Sequence, residues 1–136
     1  MRFVLLTVGL LLMSAVSASA AERIYCPLPE DGVWVNRQAK PKEISRIEVE
    51  SRCENETVHV RVRAFTSCVP RDCKWGWTKG ELDSTGRIKV LLIGFLSSKQ
   101  LSLKAFSDLI DVQVISIVND LSEPHVETVY NLERGR

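Results

Sequence analysis

The chain has 136 residues, 18 Lys and Arg against 17 Asp and Glu, and a formal net charge of +1. Losing Arg2 with an N-terminal leader leaves the remainder about neutral, which argues against nucleic acid or an anionic membrane as the main partner. The length suits one domain and not two.

The leader is the first element. Arg2 precedes an apolar run from Phe3 to Met13, and small residues continue to Ala21. That layout is a secretory signal peptide over residues 1–20, with Ala18-Ser19-Ala20 as the cleavage site. The run falls well short of the ~20 residues of a membrane-spanning helix. The mature domain is residues 21–136, soluble, with no lipid anchor because Cys26 lies too far from the cleavage site.

Eight runs come next with period two, the period of strands. They are Val33–Arg37, Ile44–Ser51, Thr57–Phe65, Trp75–Leu82, Arg87–Phe95, Gln100–Phe106, Ile110–Val118 and Val126–Leu132. In the third, Val58, Val60, Val62 and Ala64 alternate with His59, Arg61 and Arg63. Turn-forming residues separate the runs: Glu54-Asn55-Glu56, Asp83 to Gly86, Ser97 to Lys99, and Asn119-Asp120 before Pro124. Ser102–Ile110 is the one stretch with an alternative, a helical turn. The expected fold is all-β: a small antiparallel up-and-down barrel of about eight strands, with a two-sheet sandwich as the alternative.

Four cysteines in an exported chain read as two disulfides. Cys68 and Cys73 bracket a short turn between strands and face each other across its base. A hairpin about Ala39–Lys42 puts Trp34 near Ile47 and brings Cys26 to Cys53. The expected pairs are Cys26–Cys53 and Cys68–Cys73. A four-cysteine zinc site lacks any C-x-x-C pair, so no metal is expected, and no sequence motif calls for a cofactor.

Gly32-Val33-Trp34 resembles the G-x-W opening of lipocalin-like and avidin-like barrels. That resemblance implies a Trp packed at one barrel end under an Arg of the last strand, here Arg134. Cys68-Val69-Pro70-Arg71-Asp72-Cys73-Lys74-Trp75-Gly76 resembles a C-x-P-x-D-C-x-W-G motif of small secreted bacterial proteins of uncharacterised function. This second resemblance implies a barrel and an exported location, periplasmic or secreted, and no activity. Physically, Pro70 fixes a turn dihedral, Asp72 accepts turn N–H groups, and Gly76 permits close approach.

No catalytic pattern emerges. His59 and His125 lack spaced partners, no G-x-S-x-G elbow exists, and no carboxylates pair. An enzyme therefore ranks below a binding protein. Trp75 and Trp77 flank Gly76, so simple alternation sends both rings to one face. With Trp34 and Tyr130 they would line a cavity for a small apolar or aromatic ligand; the simpler reading is that they fill the core. The alternative function is a protein-interaction module or inhibitor. It would use the loop residues Pro70, Arg71 and Asp72 and an outer apolar face. Strands five and seven are apolar on both sides, so Leu91, Ile93 and Phe95 with Ile115 and Ile117 would face outward. An N-terminal arm tied by Cys26, or a homodimer, would cover such a patch.

Overall fold

The computed structural model describes residues 26–118 and 125–135. The leader over 1–20 and the Asn119-to-Pro124 turn lie outside the described residues. The strands are β1 (Gly32–Val35), β2 (Ile44–Glu54), β3 (Thr57–Thr66), β4 (Cys73–Leu82), β5 (Ile88–Ile93), β6 (Ser97–Phe106), β7 (Leu109–Val118) and β8 (Val126–Arg134). Each pairs antiparallel with the next and β8 returns to β1, closing an up-and-down barrel. The sandwich alternative is thereby set aside.

Alternation decides which residues enter the barrel. Val49, Val62, Ala64, Ile88, Val90, Leu92, Leu101, Leu103, Ile110, Val112 and Leu132 form one buried cluster with Trp34, Ile44 and Ile47. The β2–β3 hairpin turns through Asn55 and Glu56, both at positive φ (49° and 62°). That two-residue geometry matches the twist of the strands it joins. The Ser102–Ile110 stretch holds no helical turn. β6 runs on to Phe106 and reverses through Ser107 and Asp108 into β7.

β5 ends earlier than expected, at Ile93, and β6 starts earlier, at Ser97. The cause lies at Gly94, whose N–H donates to the Ser97 carbonyl at 2.9 Å. The Trp75 ring lies over it so closely that an added Cβ would sit 2.6 Å from Cζ3. The turn is therefore Gly94-Phe95-Leu96, and Phe95 belongs to it and not to the strand.

Both disulfides form as expected, Cys26–Cys53 and Cys68–Cys73, a pattern that suits an oxidising compartment. The first anchors an N-terminal arm, residues 26–31, across one end of the barrel. Asp31 accepts bonds from the Ser51 N–H (2.7 Å) and hydroxyl (2.8 Å). Glu30, almost wholly buried, accepts from the Ala105 N–H at 3.1 Å. The arm thus plugs the end of the barrel. Its described residues, 26–31, lie at that end and not on the outer sides of strands five and seven.

Two bulges shape the outer face of the barrel. In β2, Ser45 is an extra residue between the pairs Ile44↔Thr66 and Arg46↔Phe65. In β4, Gly76 and Trp77 together oppose Arg63, between the pairs Ala64↔Trp75 and Val62↔Thr78. A bulge shifts the phase of every residue beyond it.

Candidate functional site

The four aromatic residues nominated for an internal cavity do not converge. Trp34 pairs with Ile47, is fully buried, and donates its Nε1–H to the Glu30 carbonyl at 2.8 Å. The Arg134 guanidinium lies 4.1 Å from its ring centroid. Trp34 therefore belongs to the plugged end. Trp75 stays in phase with the core, opposite Ala64, and lies at the other end against the Gly94 turn. Its Nε1–H donates to the Thr66 hydroxyl at 3.4 Å. Lys99 lies 5.7 Å from its ring and donates to the Ser116 hydroxyl at 3.0 Å; burial pulls the Lys99 ammonium below its ordinary value. Tyr130 faces Val112 and packs against the core. Burial, with Glu43 adding to it, pushes its hydroxyl pKa up.

Trp77 is the exception, and it does not share a face with Trp75 as simple alternation predicts. The β4 bulge turns it outward, onto the arginines of β3. The Arg61 and Arg63 guanidinium carbons lie 4.4 and 4.6 Å from its ring centroid. Such stacking is worth roughly 0.5–2 kcal/mol, more as water is excluded. The arginines are themselves held by β2. Arg61 Nε donates to Glu50 at 2.6 Å, and Glu48 accepts from both Arg63 and Arg46. Burial pushes the Glu48 carboxyl up, but the hydrogen bonds and charges of Arg63 and Arg46 outweigh it and hold it below its ordinary value.

Beyond Trp77 the β4 cations have no such compensation. Lys79 stands directly opposite Arg61, and Lys74 opposite Phe65. Neither makes an ion pair among the described residues. Lys79 and Arg61, directly opposite, repel as like charges, offset in part by the Glu50 ion pair of Arg61, and Lys79 itself is left open to a negative neighbour.

Trp77 forms a wall shared by two depressions. One is an open groove of about 590 Å³ on the outer side of β2–β4, lined by Glu50, Arg52, His59, Arg61, Trp77 and Lys79. The other is a cleft of about 170 Å³ lined by Trp75, Trp77, Thr78, Leu91, Leu92 and Ile93. The cleft exists because β4 and β5 pair only at Glu81↔Lys89 and Leu82↔Ile88 and then separate.

The Cys68–Cys73 loop lies at the same end as the β5–β6 turn. Val69, Pro70 and Arg71 are exposed. Asp72 does not serve the turn's own N–H groups. It accepts a 2.6 Å bond from the hydroxyl of bulged Ser45, which ties the loop to β2. The apolar strip predicted on the outside is present. Leu91 and Ile93 lie across β6 residues Gln100 and Ser98 from half-buried Ile115 and Ile117, and Ile93 is 77% exposed.

Periodicity along the chain does not disclose the arginine–Trp77 stack or the cleft. The available signal was Gly76 itself, since a glycine inside a strand pattern often marks a bulge. Compared with protein-family models, curated proteins and solved structures, the chain matches none.

Proposed function

We propose that this chain is an exported, non-catalytic protein-interaction module, periplasmic or secreted. It engages its partner on the outside of the barrel, through the Trp77 wall, the β4–β5 cleft, the Leu91 and Ile93 strip and the rigid Cys68–Cys73 loop. The observation that carries this reading is the outward turn of Trp77 beside exposed Ile93, over a core of buried aliphatic side chains. An aromatic flanked by arginines next to an apolar strip has the composition of an interface centre. The other reading, a barrel that holds a small apolar ligand, ranks below it because Trp34 sits at the plugged end and, of the four nominated aromatics, Trp75 and Trp77 share a space only in the cleft between β4 and β5, beside exposed Ile93.

The test is photo-cross-linking in an exporting cell from a probe at Ile93, with a probe at Arg37 as the control. A discrete protein adduct from Ile93 alone supports the module. No adduct from Ile93, together with a saturable change of tryptophan emission by a small apolar compound, would favour the ligand-holding barrel.

A further inference from the structure

Between Cys73 and Lys79, β4 has β3 on one side and no ladder partner on the other, while at Gly80 the Lys89 carbonyl of β5 already closes in. Such an edge presents N–H and C=O groups ready to pair with another strand. We infer that this edge takes an extended segment of the partner protein, alternating apolar and acidic residues, as an added strand. The inference deepens the interaction-module reading and rests on it.

Three features choose the occupant. Side chains of an added strand alternate between two faces. Its outward residues would lie between Trp77 of β4 and Leu91 and Ile93 of β5. An inward residue would meet the cleft of about 170 Å³, where a dry cavity of ~150 Å³ already takes a benzene-sized group. Charge is the second feature. Lys74 and Lys79 stand on the free strand without ion-pair partners among the described residues, and exposed Arg71 lies in the loop that leads into it. Opposite charges on adjacent strands attract and like charges repel.

The third feature removes the rivals. A second copy added about a two-fold axis midway along this edge would set Lys74 of each copy beside Lys79 of the other. An acidic saccharide has no strand backbone to pair with the N–H and C=O groups of β4.

The experiment uses the full oxidised chain and end-blocked octapeptides. One alternates Val with Glu, one alternates Val with Lys, and one is the Val-Glu peptide with alternate backbone nitrogens methylated. Tryptophan emission reports binding, and amide hydrogen exchange from Trp75 to Lys79 reports strand pairing. The expected result is saturable binding of the Val-Glu peptide with at least tenfold slower exchange along β4. The Val-Lys peptide should bind at least tenfold more weakly, the methylated peptide should not bind, and Lys79→Glu should reverse the charge preference. Equal affinity for the two charged peptides, binding without amide protection, a symmetric dimer that protects β4, saturable binding of oligogalacturonate instead of peptide, or no peptide binding at millimolar concentration each overturns the inference. A cross-link from Ile93 with β4 amides unprotected would leave the interaction module standing and remove only strand addition.

Discussion

Arg134, the last residue of β8, lies over the ring of Trp34 of β1 and donates from Nη1 to the Asp31 carbonyl at 3.0 Å and from Nη2 to the Pro29 carbonyl at 3.1 Å. One side chain thus joins the first strand, the last strand and the arm that plugs the barrel end. Arg134→Ala removes a cation–π contact and two charge-assisted bonds, and should destabilise the fold by about 2–3 kcal/mol. Lys keeps the charge and loses the planar fork, so Arg134→Lys should fall between Ala and the native residue. Urea unfolding of the oxidised proteins gives both values, and an Arg134→Lys variant as stable as the native chain would show that the fork is irrelevant.

The two disulfides close loops of unequal length, with sequence separations of 27 and 5. Chain entropy makes the longer closure worth about 1.5 kcal/mol more. Replacing both Cys26 and Cys53 by Ala should therefore lower the urea midpoint more than the same change at Cys68 and Cys73. The reverse order would mean that the short loop stabilises through its contacts, of which the Ser45–Asp72 bond is the candidate.

Gly94→Ala puts a Cβ within 2.6 Å of the Trp75 ring and 2.8 Å of the Ser97 carbonyl. Neither neighbour is a flexible chain end, so the ring or the turn must move. Overpacking of this kind costs ~1–3 kcal/mol. The variant should unfold at lower urea and show red-shifted tryptophan emission as Trp75 moves towards water.

Glu48 gives the fold a pH dependence of known sign. Its folded pKa lies below the ordinary 4.5, so its ion pairs contribute fully above that value. The contribution is lost as pH falls from about 4.5 through the lower folded value. Glu48→Gln should be less stable than the native chain at neutral pH and should lose less on acidification. Parallel acid slopes for the two proteins would assign the acid sensitivity to other carboxylates.

Ile93 is 77% exposed, so Ile93→Glu should change stability by no more than ~0.5 kcal/mol. The same variant should lose the partner adduct formed at this face, probed from neighbouring Leu91. A large loss of stability would mean that the strip packs against another part of the chain.

Period two and turn residues were enough to specify eight strands in meander order, because side-chain alternation is local and a run of inward Val, Leu and Ile has only one face to bury. The cysteine pairing was legible for the same reason: a short turn and a hairpin bring each pair together. The resemblance at Gly32-Val33-Trp34 placed Arg134 on Trp34, and the fold does so. The outer surface around Trp77, by contrast, follows from how the strands pack together. One extra residue at Gly76–Trp77 inverts the phase of the strand, and counting alternation along β4 alone sends Trp77 the wrong way. Likewise, a near-neutral composition hides that Lys79 comes to stand directly opposite Arg61, since charges far apart in sequence become neighbours only when strands take their register. Pairing β4 with β5 for just two residues opens the cleft beside them. Register, bulge position and strand splay are long-range properties, set by how neighbouring strands meet, and no single segment encodes them.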